Sequence, residues 1–97
     1  MVSPVRLDPT ERDAIKTAVA RRDPLARVYL FGSRTDPKSR GGDIDLLIAS
    51  AGLSRSDLRQ LRIDLQDRLG RQHFDLVLLG PQPSAFARSI ADKAIPL

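Results

Sequence analysis

The sequence VYLFGSR, residues 28–34, followed by DIDLLI, residues 43–48, decides the fold of this chain. The first stretch is short, apolar and rich in residues that favour β-strands, and it ends in a glycine-serine turn. The second stretch is acidic at its start and apolar through its centre, which predicts another strand. Together the two stretches indicate a strand, a turn, a basic loop and a second strand.

The turn between these strands has the features of an anion-binding site. Gly32 lets the backbone turn sharply and approach a ligand closely. Ser33 can cap a short helical turn, whose free N–H groups favour a phosphate. Arg34 follows directly and is the best-placed phosphate contact, whereas Lys38 and Arg40 are equally well explained as residues of a solvated loop.

Two aspartates stand at the head of the second strand. Asp43 and Asp45 are two residues apart, and side chains alternate between the faces of a strand. Both carboxylates are therefore predicted to point the same way, roughly 6–7 Å apart along the chain. Two carboxylates on one face, beside an anion-binding turn, can hold Mg²⁺ against the phosphates of a nucleotide.

The remaining pattern predicts an α/β fold class, a small mixed β-sheet with helices packed on one side. Strands are expected at residues 26–31, 43–49 and 73–79, and helices at residues 8–23, 54–70 and 84–93. Asp8 and Ser54 are the predicted N-caps of the first two helices, and Gly70 is the predicted stop of the second. Helical spacing predicts these inward-facing residues: Ala14, Ile15, Ala18 and Val19, then Leu58, Leu61, Leu65 and Leu69, and finally Phe86 and Ile90.

The net charge of +4 is spread along the chain. The polar face of the second helix carries several charged residues, a pattern more typical of solvated helix surface than of a binding patch: Arg55, Arg59, Arg62, Asp67 and Arg68. With only three Phe and one Tyr, the chain lacks an evident stacking platform for bases, so direct nucleic-acid binding is not expected. Attraction to nucleotide phosphates or to an acidic protein partner is the simpler interpretation.

The bulk composition limits the organisation of the chain. A length of 97 residues suits one small domain, residues 1–97. The absence of cysteine excludes disulfides and thiolate metal sites and suits a reducing cytosol. No apolar run approaches the length of a membrane span, and the first residues lack the apolar region of a signal peptide. We therefore expect a cytoplasmic protein without membrane contact.

Asp75 is the unusual residue of the third predicted strand. It is surrounded by apolar residues, and a buried, unpaired carboxylate costs several kcal/mol. Either the side chain lies at an exposed end of the strand or pairs with an arginine, or a bound cation compensates its charge. The residues alone leave both interpretations open. His73, beside the start of the strand, is interpreted as an ordinary surface or packing residue.

The motif formed by Gly32, Ser33, the nine residues that follow, Asp43, Ile44 and Asp45 resembles the signature of the DNA polymerase β-type nucleotidyltransferase superfamily. The short length and the run LFGSR, residues 30–34, are similar to its minimal, MNT-type members. The resemblance covers roughly residues 8–79. Gly42 departs from the pattern, because many relatives have serine before the first aspartate.

The resemblance implies a minimal nucleotidyltransferase core that transfers AMP from ATP and releases pyrophosphate. Asp43, Asp45 and Asp75 would be the catalytic, metal-binding carboxylates, with Asp75 supplied by the following strand, and two Mg²⁺ ions would be bound. Gly32, Ser33 and Arg34, named above, would bind the phosphates of ATP. Relatives of this type are often antitoxins of HEPN-domain toxins, so the resemblance implies a hetero-oligomer with a HEPN partner whose hydroxyl accepts the AMP.

Two other functions stay open at this point. The chain could be a non-catalytic module of the same fold that neutralises its partner by steric contact, although the three aspartates argue against this. It could also be a nucleotidyltransferase for a small molecule such as an aminoglycoside. Because the core resembles the superfamily without its extra substrate domains, we expect the acceptor to be another macromolecule.

Overall fold

The computed structural model of the protein describes Leu7 and residues 9–32, 44–70 and 73–97. These parts of the chain form three helices and four strands, in the order α1 (Pro9–Arg22), β1 (Arg27–Phe31), β2 (Ile44–Ala49), α2 (Arg55–Leu69), β3 (Phe74–Leu79), α3 (Ala85–Ala91) and β4 (Ile95–Pro96). Every predicted helix and strand is present, and the short strand β4 is one that the sequence analysis did not predict.

The four strands form one mixed sheet in the order β3-β2-β1-β4. Strand β2 runs antiparallel to β1 and parallel to β3, and β4 runs antiparallel to β1. The parallel pair is joined through α2, because parallel neighbours need a long crossover connection. The predicted class, an α/β protein with a small mixed sheet, is confirmed.

Helices α1 and α2 pack against one face of the sheet. Alternate residues of β2 enter this core, since Ile44, Leu46 and Ile48 are each fully buried. The core cluster also contains residues from both helices and from the neighbouring strands: Ile15, Ala18, Val19, Val28, Leu30, Leu58, Leu61, Leu65 and Phe74. Leu47 alternates to the opposite face and is only 1% exposed, so this face is also covered at the middle of β2.

Helix α2 begins and ends at the residues that the sequence predicted. Ser54 is the N-cap, its hydroxyl accepts from the Asp57 N–H, and the Asp57 carboxylate accepts from the Ser54 N–H, which completes a capping box. Gly70 ends the helix with a positive φ of 85°. In the described part of the chain, no helix has the length and apolar character needed to cross a membrane.

The prediction for α3 was wrong in one respect. Phe86 was expected to pack inward, but it is 59% exposed, whereas the neighbouring Ala87 is fully buried. Ser84 caps this short helix by accepting from the Ala87 N–H, which sets the phase of the first turn. The side of the helix that faces inward therefore depends on where the turn after β3 places the helix, and a lone large side chain does not determine it.

A buried serine joins three segments at the far end of the sheet. Ser50, which is 8% exposed, donates its hydroxyl to Asp23 at 2.6 Å and accepts from the N–H groups of Gly52 and Leu53, each at 3.1 Å. Asp23 also accepts from the Leu25 N–H at 3.0 Å. The hydroxyl thereby fixes the turn after α1 against the loop after β2.

We expect Ser50→Ala to lower the free energy of unfolding by about 1 kcal/mol, because it removes one donor and one shared acceptor from three part-buried hydrogen bonds. Urea unfolding of the variant and the wild type measures this difference. Ser89→Ala is the matched control, since the Ser89 hydroxyl donates to the exposed Phe86 carbonyl at 2.7 Å. Equal losses in the two variants would contradict the role given to Ser50.

Two carboxyl groups make the stability of the fold depend on pH. The Ser50 hydroxyl, followed by the Leu25 N–H, lowers the pKa of Asp23 below its ordinary value of 3.8. The Ser54 N–H, followed by the Ser54 hydroxyl, lowers the pKa of Asp57 in the same way. Both groups are more acidic when folded than when unfolded, so their stabilisation is present above pH 3.8 and is lost as the pH falls through the folded-state pKa values.

The melting temperature is therefore expected to fall as the pH is lowered below 3.8. A Ser50→Ala/Ser54→Ala double variant should lose less on acidification, because it lacks the hydroxyl bonds that lower the two pKa values. Melting curves recorded from neutral to acidic pH measure both slopes. An identical acid slope in the variant would show that other carboxyl groups dominate.

Candidate active site

The register of the sheet brings two of the predicted aspartates together. Strand β2 pairs with β3 so that Asp45 lies directly beside Asp75. Neighbouring strands are about 4.8 Å apart, and paired residues of a parallel sheet direct their side chains to the same face. This face is opposite to the one that packs against α1 and α2, because Ile44 and Leu46, on either side of Asp45, are buried there.

Gly32 lies against the Asp45 carboxylate. In the antiparallel pair, Phe31 is the register partner of Asp45, and Gly32 follows with a φ of 77°. A Cβ atom added to Gly32 would overlap the carboxylate oxygen Oδ2 of Asp45 and would lie 3.0 Å from its Cγ. Glycine therefore supplies both the backbone conformation and the space in which the carboxylate sits.

Asp75 is open to solvent and has a partner. It is the second residue of β3, its side chain is 54% exposed, and its Oδ1 lies 3.2 Å from Nε2 of His73, so a protonated His73 nitrogen donates to it. The cost of burying an unpaired carboxylate therefore does not arise here. An accessible carboxylate remains available to an acceptor or a cation.

Three further predicted site residues, Ser33, Arg34 and Asp43, lie outside the described residues, as does Gly42. Their roles stay predictions. At the start of β2, the Ile44 N–H donates to the His73 carbonyl at 2.9 Å. This bond holds the starts of β2 and β3 side by side.

The described residues include two of the three carboxylates of the predicted cation site. Carboxylate oxygens are the protein ligands that Mg²⁺ prefers, and Asp45 and Asp75 present two carboxylates on neighbouring strands, with Gly32 leaving room beside one of them. No group of three His, Cys, Asp or Glu side chains suited to a metal occurs within residues 9–32, 44–70 and 73–97. The donor chemistry of the pair fits Mg²⁺, and Asp43 is the predicted third carboxylate.

Comparison with known families agrees with this geometry. Residues 13–97 match the family described as polymerase beta nucleotidyltransferase, so the chain belongs to this family and carries a nucleotidyltransferase domain. Most of that match lies within the described strands and helices, including both Asp45 and Asp75. A search of curated proteins finds no match to the chain.

His73 is a site neighbour that the sequence analysis missed. The signal was present, because residues two apart in a strand share a face, and His73 is two residues before Asp75. A lone histidine beside a strand was interpreted as a surface residue, and only the 3.2 Å contact shows its partner. From this contact we predict that His73 positions the Asp75 carboxylate.

We expect His73→Ala to slow nucleotidyl transfer by a factor of about two to five, since an exposed pair contributes little but restrains the carboxylate. His73→Gln should retain more activity, because its amide can still donate to Asp75. Steady-state kinetics should show the loss in kcat with little change in the KM for ATP. A higher KM for ATP with an unchanged kcat would instead indicate that His73 contacts the nucleotide.

Proposed function

We propose that the protein transfers AMP from ATP to a hydroxyl of a partner protein in an Mg²⁺-dependent reaction. The observation that carries this proposal is the in-register pair of Asp45 and Asp75 on one face of the sheet, beside the turn at Gly32. Membership of the nucleotidyltransferase family supports transfer of a nucleotide in general. The choice of ATP, of Mg²⁺ and of a protein acceptor is the specific content of the proposal.

The reaction forms one bond and breaks one bond at the α-phosphorus of ATP. The acceptor oxygen bonds to the α-phosphorus, the bond from that phosphorus to the bridging oxygen breaks, and pyrophosphate leaves with the electron pair. The acceptor proton passes to a carboxylate or to water. Catalysis of this kind depends mainly on positioning and on neutralising the charge of the phosphates.

The residues divide these tasks between them. Asp45, with Asp43, would hold Mg²⁺, and Gly32, Ser33 and Arg34 would bind the β- and γ-phosphates with backbone, hydroxyl and guanidinium donors. When bound, Mg²⁺ neutralises phosphate charge and makes the acceptor hydroxyl easier to deprotonate.

Of the two described carboxylates, Asp75 is exposed and Asp45 is half-buried, so Asp75 is the one that meets an incoming hydroxyl. It orients that hydroxyl towards the α-phosphorus and accepts its proton. His73 keeps the carboxylate directed towards the site from the same face of β3.

The partner is proposed to be a HEPN-domain toxin, with this protein as its cytoplasmic antitoxin. The site supports a macromolecular acceptor because Asp75 is open to solvent at the rim of the sheet, where a flexible segment bearing Tyr, Ser or Thr could reach it. The net charge of +4 favours association with an acidic surface, and salt should weaken that association.

Isotopic labelling tests the proposal directly. The protein is incubated with a candidate HEPN-domain protein and Mg²⁺, using ATP labelled on the α-phosphate in one reaction and on the γ-phosphate in another. AMP transfer labels the partner only from α-labelled ATP, and intact-mass analysis should show one or more added AMP units.

Other outcomes assign the function elsewhere. Label from the γ-phosphate would indicate phosphorylation and would contradict the proposal. An unmodified partner that is nevertheless neutralised would identify a steric module. Transfer to an aminoglycoside but not to the protein would identify a small-molecule enzyme.

A further inference from the structure

A groove of about 960 Å³ lies between the first half of α2 and the outer part of β3. Helix α2 contributes Arg55, Arg59 and Arg62 to its lining, and β3 contributes Leu76 and Leu78. The sequence pattern suggested that these arginines form ordinary solvated helix surface. Their position at one side of a groove shows that they share a defined surface with the edge of the sheet.

The three arginines form one basic row that is not neutralised from within the described chain. Residues four and three positions apart lie on the same side of a helix, so Arg55, Arg59 and Arg62 project together. All three are exposed, and none forms an ion pair with a described carboxylate. By contrast, Asp64 of the same helix pairs with Arg22 at 3.7 Å.

The strand beside this row has an unpaired outer edge. Strand β3 is the last in the sheet, and no strand of the described chain pairs with its outer side. The His73 and Leu79 carbonyls accept from β2, from the N–H groups of Ile44 and Ser50, so the odd-numbered residues of β3 direct their backbone groups inward. Leu76 and Leu78 therefore direct their N–H and C=O groups outward, where a further strand could bond to them.

We propose that this groove binds an extended acidic segment of a partner protein, which adds to β3 as a fifth strand and places its carboxylates against the arginine row. Four residues of a helix rise about 6 Å, the separation of Arg55 and Arg59 along α2. Residues on one face of an extended strand recur about every 6.7 Å. Arg59 and Arg62 are closer, about 4.5 Å along the axis, so only the first spacing is near the strand repeat. A segment in which acidic residues alternate with other residues therefore directs successive carboxylates towards the same row.

A second copy of the chain is a poor occupant of the groove. A symmetric dimer formed through β3 edges would place two arginine rows at the same interface, where their like charges repel. Nucleic acid is also disfavoured, because the described residues that line the groove include no aromatic side chain on which bases could stack. An acidic strand can form hydrogen bonds with the outward backbone groups of β3 and can pair its carboxylates with the guanidinium groups.

The groove is separate from the carboxylate pair. The Asp75 side chain alternates to the face of the sheet opposite to Leu76 and Leu78, which pack against the core beneath α2. The groove-lining part of β3 also lies beyond Asp75 towards the end of the strand. The arginine row and the carboxylate pair therefore lie towards opposite faces of the sheet, and the inference rests on the groove and the edge of β3 whether or not the protein transfers AMP.

The test measures binding of a fluorescent eight-residue peptide in which glutamate alternates with valine. Fluorescence anisotropy should show saturable binding that weakens with salt, and combining Arg55→Gln, Arg59→Gln and Arg62→Gln should weaken it by about tenfold or more. Hydrogen exchange should slow at the Leu76 and Leu78 amides when the peptide binds, because these N–H groups gain partners.

A matched control distinguishes the effect of the arginine row from the effect of total charge on peptide binding. The combination Arg21→Gln, Arg27→Gln and Arg68→Gln removes the same charge from exposed positions outside the groove and should leave peptide binding within about twofold. A peptide with glutamine for glutamate should bind much more weakly, as should one with N-methyl groups on the backbone edge that faces β3.

Several results would overturn the inference. Equal weakening by the two triple variants would indicate non-specific charge attraction, and full binding of the N-methylated peptide would rule out strand addition. A wild-type dimer that dissociates in the Arg55, Arg59 and Arg62 triple variant would assign the groove to a second copy. Stronger binding of an RNA oligonucleotide at the same arginines would assign it to nucleic acid.

Discussion

Asp75→Asn and Asp45→Asn are each expected to reduce AMP transfer by about a hundredfold or more while the chain remains folded. Asparagine keeps the size of the side chain but removes the negative charge, so it binds Mg²⁺ poorly and cannot accept the proton of the acceptor. The two residues are register partners on the same face of the sheet, so either change disrupts the same site. Single-turnover assays with α-labelled ATP measure the loss.

The fold should tolerate the Asp75 change, because its side chain is 54% exposed and its removal relieves repulsion between two neighbouring carboxylates. The melting temperature without metal should be unchanged or slightly raised. Asp92→Asn is the matched control, since Asp92 is an exposed aspartate that follows α3 and belongs to no part of the site. An Asp75→Asn variant with wild-type transfer would remove Asp75 from the mechanism, whereas a similar loss in Asp92→Asn would indicate a general effect of charge.

Gly32→Ala is expected to reduce AMP transfer by about 10- to 100-fold through displacement of Asp45. The new Cβ would occupy the space of the Asp45 carboxylate, lying 3.0 Å from its Cγ and 3.3 Å from its Cβ, so that side chain must turn away. The positive φ of 77° adds a backbone cost of about 1 kcal/mol for alanine. Transfer assays measure the loss of activity, and urea unfolding measures the loss of stability.

Gly70→Ala is a close control for this prediction. Gly70 has a similar φ of 85°, but a Cβ added there meets no atom within 4 Å. Both variants should lose the stability that a positive φ costs, Gly32→Ala should lose more because its new Cβ also collides with Asp45, and only Gly32→Ala should lose activity. If Gly70→Ala reduced transfer as strongly, the loss would come from backbone strain in general, and the contact between Gly32 and Asp45 would not explain it.

The sequence by itself determined the features that depend on neighbouring residues. The two ends of α2 are set by local residues, Ser54 with Asp57 at the start and Gly70 at the finish. Such caps can be predicted from sequence because they act within one turn of the helix. Helical spacing predicted core residues of the two long helices, and six of these are buried: Ile15, Ala18, Val19, Leu58, Leu61 and Leu65. The motif from Gly32 to Asp45 pointed to the family that the comparison identifies. The predicted roles of Ser33, Arg34 and Asp43 rest on that motif alone.

Tertiary structure decided the features that depend on how distant segments meet. The register of β2 against β3 places Asp45 beside Asp75, although the two are far apart in sequence and only the strand pairing aligns them. The placement of α3 left Phe86 exposed, because the packing direction of a short helix is set by its attachment to the sheet. The arginines of α2 have the same helical pattern whether they face solvent or a groove. Only the position of β3 as the last strand of the sheet sets that arginine row beside an unpaired edge.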